Sequence, residues 1–196
     1  MNIVGLLLAA GSATRFGSDK LRHELPHGVA IAVQAARHLL AQVKPVIAVV
    51  RPGSEEFAAA LKAEGCEVVV CENAAEGMGA SLACAARAAA HLWPEADGCV
   101  VALGDMPFVR PSTIAAVRDA LAHGAALAAP YFRARRGHPV ALSRRFFKEL
   151  AALRGDEGAK RLLADNAQRL VKIPVGDPGV IRDIDTPGDL APPLRI

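Results

Sequence analysis

The stretch Val4–Lys20, V-G-L-L-L-A-A-G-S-A-T-R-F-G-S-D-K, decides how the rest of the chain is read. Ile3 to Ala10 is an apolar run of strand length. It empties into a loop of small residues (Gly11, Ser12, Ala13 and Gly17) that carries Arg15 and ends near Lys20. A buried strand that opens into such a loop is how α/β proteins bring backbone N–H groups against phosphates. A larger side chain would hold the phosphate away. Arg15 can clamp phosphate oxygens bidentately, while Lys20 supplies a mobile point charge. The plain alternative is a surface loop with two solvated cations. Neither G-x-x-x-x-G-K-[ST] nor G-x-G-x-x-G is present.

Outward from this loop, apolar runs and helical periodicity alternate. Gly28 to Gln42 reads as a helix, with Val29, Val33, Ala36 and Leu40 at helical spacing. Pro45 to Val50 reads as a strand covered on both faces. Ser54 is a candidate N-cap for a helix with Phe57 and Leu61. Glu67 to Cys71 predicts a strand, Met78 to Leu92 a helix, and Gly98 to Leu103 a strand. Pro111 opens another helix, with Ile114, Val117 and Leu121 inside. Ala125 to Pro130 predicts a strand, Arg133 to Gly137 a basic turn, and Pro139 to Leu142 a short strand. Ser143 would cap a helix with Phe146, Phe147 and Leu150, and a second short helix follows Asp156. Arg169 to Pro174 reads as a late strand. The alternation argues an α/β fold in three layers, with a mostly parallel sheet and an antiparallel addition after Ala125. Residues 1–196 read as a single domain, with no repeat or linker.

Composition narrows the function. Of the 196 residues, 52% are hydrophobic, enough for a sizeable core, and the net charge is only +3. Aromatic residues make up 4%, and no basic run exceeds two residues, so a nucleic-acid partner is not expected. No apolar stretch approaches the ~18 residues of a membrane span, and the N-terminus has no charged leader. Cys66, Cys71, Cys84 and Cys99 make no C-x-x-C pair and read as reduced core residues of a cytoplasmic protein.

Several residues carry chemistry. Asp105 ends an apolar strand in G-D-M-P. Ligands of open α/β sheets bind outside the carboxyl ends of the strands, so Asp105 should share an edge with the loop Gly11 to Lys20. A carboxylate beside triphosphate oxygens needs an intervening cation, and Mg²⁺ suits it; a turn cap is the alternative. Asp183 and Asp185 are read as facing opposite sides of an extended segment, with Asp185 favoured as the second metal ligand. The competing role for either is to cap a turn begun by Pro187. Asp189 reads as a solvated acid. In E-G-M-G-A-S-L, Gly77 and Gly79 allow backbone approach and Ser81 can reach a base edge. The alternative is a plain loop with Met78 plugging the core. Arg133, Arg135, Arg136 and His138 form a basic cluster that could receive an acceptor phosphate or simply be solvated.

L-A-A-G-x-x-x-R-F-G-x-x-K resembles the signature loop of the nucleotidyltransferases that make molybdenum cofactor dinucleotides, and is most similar to the cytidylyl branch. E-G-M-G-A-S-L (76–82), G-D-M-P (104–107), R-G-H-P-V (136–140) and D-I-D-T-P-G-D-L (183–190) extend the likeness over nearly the whole chain. The resemblance implies a Rossmann-like nucleotidyltransferase fold and transfer of CMP from CTP to a phosphorylated pterin-type acceptor. It implies Mg²⁺ on Asp105 and Asp185, with Arg15, Lys20 and Asp105 as catalytic residues. Leu8, Ala9, Ala10, Gly11, Ser12, Gly77, Gly79 and Ser81 would bind the nucleotide, and Arg136 and His138 the acceptor. A transient contact with a molybdoenzyme would follow. The guanylyl branch has Gly at the position of Ala10. Another acceptor, GTP as donor, or a non-catalytic carrier of the cofactor are the competing readings.

Overall fold

The computed structural model describes residues 1–11, 19–156 and 158–191. Its centre is strand β1 (Ile3–Leu8), flanked by two strands running parallel to it, β2 (Val46–Val50) and β4 (Gly98–Leu103). β3 (Glu67–Val70) extends the parallel set beyond β2. On the other side β7 (Val140–Ser143) runs antiparallel to β4, and β5 (Leu127–Phe132) antiparallel to β7. β5 also carries β8 (Leu170–Pro174) in parallel and β6 (Arg135–Arg136) as a hairpin. The sheet is thus mixed and mostly parallel, as the alternating pattern predicts.

Period-2 alternation along β1 explains the layering. Ile3, Leu7 and Ala9 face a core layer shared with α1 (Ile31–Leu40), α2 (Glu55–Ala63) and α4 (Pro111–Ala122). Val4, Leu6, Leu8 and Ala10 face the opposite layer, with α3 (Met78–Leu92), α5 (Phe147–Ala151) and α6 (Lys160–Asp165). A strand buried on both faces must be apolar throughout, which is why β1 and β2 show no polar alternation.

Some boundaries differ from the sequence reading. Gly28 and Val29 lie outside α1, because Gly28 adopts a positive φ and closes a turn onto the Leu25 carbonyl. β5 starts two residues later than expected and runs past Pro130. The expected basic turn is a hairpin in which Arg133 and Ala134 both take positive φ. Such a turn matches strand twist but normally uses Asn or Gly, so the sequence carries no signal for it. Ser54 and Ser143 stand at helix starts without a side-chain capping bond. Met78 is 44% exposed, so it does not plug the core.

All four cysteines are free, and burial pushes the thiols of Cys66 and Cys84 up to about 11 and that of Cys99 to about 12. Among the described residues, no helix is long and apolar enough to cross a membrane.

Candidate active site

The strand ends assemble the site. β1 and β4 finish side by side, Leu8 opposite Leu103, and the Gly104 N–H donates to the Leu8 carbonyl at 2.9 Å. Asp105 therefore leaves the sheet next to the exit of β1. Lys20 opens a short 3-10 turn beyond the signature loop. Its Nζ lies 3.0 Å from Asp105 Oδ2 and 2.9 Å from Asp185 Oδ1. Three residues scattered over the sequence meet at one point, with side-chain exposures of 12% for Lys20, 25% for Asp105 and 50% for Asp185. Burial opposes the charge on Lys20. Its bond to Asp185 and the attraction of Asp105 outweigh this and hold the ammonium above its ordinary range.

Backbone fixes the two carboxylates relative to each other. The Ile184 N–H donates to the Asp105 carbonyl at 2.9 Å. Ile184 is fully buried with Leu25 and Ile31. The expectation that Asp183 and Asp185 face opposite sides does not hold. Residues two apart in extended backbone share a face, and both are exposed on either side of buried Ile184. Asp185 reaches Lys20, while the charge of Asp183 acts on His138. Neither caps the turn begun by Pro187. Thr186 and Asp189 do so reciprocally, and Asp189 accepts from Thr186 N, Thr186 Oγ1 and Asp185 N. Asp189 is thus a structural acid rather than a solvated one. The Thr186 hydroxyl and N–H hold its carboxyl below the usual range.

Two features went unnoticed in the sequence. Arg51, just past β2, donates to Asp19 Oδ2 at 2.8 Å and to the Gly11 carbonyl at 3.5 Å, so it touches both borders of the signature loop. Asp177 is buried and accepts from Arg110 N, Thr113 Oγ1 and Gly179 N, anchoring the segment that leads to Asp185. Apart from the local bond to Gly179, these partners are too far apart in sequence to leave a local pattern. The capping box did leave one, in T-P-G-D.

A cavity of about 250 Å³ opens on the α3 side, bordered by Leu8, Met78, Leu82, Arg136, His138 and Lys160. His138 binds the Val180 carbonyl through its backbone N–H, and its Nδ1 is shut from solvent without a hydrogen-bond partner among the described residues. Burial, helped by nearby Arg136, pushes this imidazole down to about 4 against the pull of Asp183 and the Val101 carbonyl. His138 is therefore neutral, and the expected basic cluster divides. Arg133 stacks on Phe132, while Arg136 borders the cavity.

Gly77 takes a positive φ of 123° at the start of α3. Gly79 N–H donates to the Gly155 carbonyl at 2.7 Å, and a Cβ at residue 79 would sit 2.6 Å from the Arg154 carbonyl oxygen. The close approach that these glycines allow is made here by residues 154–156 of the chain itself. Ser81 is buried, as are Ala9 and Ala10, and Gly11 is exposed. Ser12 and Arg15 lie outside the described residues.

Two carboxylate oxygens converging on one cation form a hard donor set suited to a divalent ion. Among the described residues, no three acidic, His or Cys side chains cluster as a cage.

The chain is 28% identical over 193 residues to the purine catabolism protein PucB of Bacillus subtilis strain 168, covering 94% of this chain and 92% of that protein. The fold superposes on Rv0371c of Mycobacterium tuberculosis H37Rv with a TM-score of 0.81 and 30% identity, covering 96% and 94% of the two chains. A manganese complex of Rv0371c gives 0.79 at 28% identity, covering 96% of each chain. Molybdopterin-guanine dinucleotide biosynthesis protein A of Archaeoglobus fulgidus gives 0.64 at 20% identity, covering 95% of this chain and 94% of that one, a likeness of fold alone. Residues 5–171 match the MobA-like NTP transferase domain. The match spans most of the chain, and the chain belongs to the MobA-like NTP transferase family of nucleotidyltransferases.

Proposed function

We propose that this chain, as one domain, transfers a cytidylyl group from CTP to a phosphorylated pterin of the molybdenum cofactor type, releasing pyrophosphate. The observation that carries the reading is the meeting of Lys20, Asp105 and Asp185 at the carboxyl edge of the sheet. The nucleotide lies along Leu8 to Ser12, with Arg15 at the departing pyrophosphate. An oxygen of the acceptor phosphate attacks the α-phosphorus in line, the new O–P bond forms, and the α–β bridging bond breaks. The attacking phosphate is already ionised near neutral pH, so the step needs no general base. Catalysis is then positioning and charge neutralisation. Lys20 meets the α-phosphate, and Arg136 and neutral His138 meet the incoming acceptor. Asp105 and Asp185 would hold Mg²⁺, which supplies neutralisation of the triphosphate charge. A soluble cytoplasmic setting and a transient meeting with a molybdoenzyme belong to the same reading.

The test is pyrophosphate release from each NTP with Mg²⁺ and molybdopterin, or with a sugar phosphate in its place. CTP with molybdopterin should be fastest. Ala10→Gly should narrow the preference for CTP over GTP, since one methyl in a pocket is worth about 1–3 kcal/mol. Equal use of GTP removes the cytidylyl assignment. No release with any acceptor favours a carrier.

A further inference from the structure

β2 runs beside β1 to the carboxyl edge of the sheet, where the Ala9 N–H donates to the Val49 carbonyl at 2.9 Å. Arg51 is the first residue past β2, so it starts from the same edge as Gly11 and Asp105. Its main chain has little freedom. The Val50 carbonyl accepts from the Cys71 N–H at 2.9 Å, and Pro52 disfavours helical backbone at residue 51. The side chain is anchored as well. Nη2 donates to Asp19 Oδ2 at 2.8 Å, and Nη1 to the Gly11 carbonyl at 3.5 Å.

Gly11 and Asp19 border the signature loop, and Asp19 directly precedes Lys20. One planar group therefore reaches the residue that enters the loop and the residue that leaves it. A guanidinium suits this task because its donors are fixed in a fork, whereas an ammonium is a point charge on a flexible stem. A second ion pair holds the same short turn in a different way. Arg22 meets Glu56 at the surface, with side-chain exposures of 44% and 84%. That pair joins the turn to α2, not to the strand exits.

We infer that Arg51 is a positioning residue for nucleotide binding, clipping the two borders of the signature loop together at the root of Lys20 while touching no substrate atom itself. This rests on the transfer reading given above. The competing role is a direct one, in which the guanidinium waits on Asp19 and moves onto the triphosphate when the nucleotide arrives. The bond to the Gly11 carbonyl favours the clip, since a cation held ready for phosphate gains nothing by spanning to the far border of the loop. The two roles predict opposite effects of removing Asp19. A clip fails when either end is lost. A waiting ligand is released, and the nucleotide binds as well as before or more tightly.

The experiment titrates CTP, and GTP in parallel, into the full chain with Mg²⁺ and follows binding by calorimetry. Arg51→Met and Asp19→Ala should each weaken binding of the preferred nucleotide about tenfold, the size of one charge-assisted bond. The double variant should be no weaker than the weaker single one, because both remove the same contact. Arg51→Lys keeps a cation against Asp19 and should recover part of the loss. Glu56→Ala removes the other pair on this turn and should leave nucleotide affinity unchanged. Unchanged or tighter binding in Asp19→Ala, additive losses in the double variant, or an equal loss in Glu56→Ala would overturn the clip. Pyrophosphate assays separate the two levels. Release from CTP with molybdopterin at unchanged KM and kcat in Arg51→Met removes the clip and leaves the transfer reading standing. The expected affinity pattern without release from any NTP removes the transfer reading instead.

Discussion

Substituting Lys20 by Gln should change metal affinity and turnover in opposite directions. In the free protein the ammonium holds both carboxylates, at 3.0 and 2.9 Å. A divalent ion that takes Asp105 and Asp185 must first open both contacts. Partly exposed ion pairs are worth about 0.5–1 kcal/mol each, so the two together oppose the ion by about 1–2 kcal/mol. Lys20→Gln removes that opposition while keeping a polar side chain. The Kd of the nucleotide-free protein for Mn²⁺ should therefore fall about 5- to 30-fold, at 1.4 kcal/mol per factor of ten. Turnover should drop about 10²- to 10³-fold, because the same ammonium is then missing where charge develops on the triphosphate. The assay counts free Mn²⁺ by electron paramagnetic resonance during titration, with Asp105→Asn as the control that weakens binding. Unchanged or weaker Mn²⁺ binding in Lys20→Gln would mean that Lys20 does not occupy the cation's place, and the reasoning fails.

Gly79→Ala should cost more than about 2 kcal/mol in chemical denaturation, because its Cβ would press on the backbone carbonyls of Arg154 and Gly155 at 2.6 and 2.7 Å. A near-neutral result would mean that residues 154–156 are free to move away. Asp189→Ala removes the reciprocal cap with Thr186 and should lower stability by about 0.5–2 kcal/mol. It should also weaken Mn²⁺ binding by releasing Asp185, and Asp189→Asn should recover part of both. His138 is held near 4, below its ordinary 6.5, so the unfolded chain takes up its proton first on acidification. Its contribution, at most about 3 kcal/mol, should be complete above pH 6.5 and disappear as pH falls toward 4. His138→Gln should flatten the stability profile in that window.

Much of this site was legible because its parts sit at strand ends. The apolar runs of β1 and β4 announce two buried strands, and the rule for open α/β sheets then brings Asp105 to the exit of β1. The expectation that Asp183 and Asp185 face opposite sides misapplies period 2, which puts the buried side chain of Ile184 between them and both carboxylates outside. Arg51 and Asp177 could not be found this way. Asp19, Arg110 and Thr113, the partners that tie them across the fold, lie 32 or more residues away, and no spacing rule links them.

The bond from Ile184 N–H to the Asp105 carbonyl joins the two acidic segments through main chain alone. Apart from proline at 184, no substitution at either position deletes it. The spacing of the charged centre is therefore insulated from the identity of its neighbours. The cavity beside it can be re-lined one residue at a time while the transferring atoms keep their places. A scaffold of this kind can change what it recognises without having to reinvent what it does.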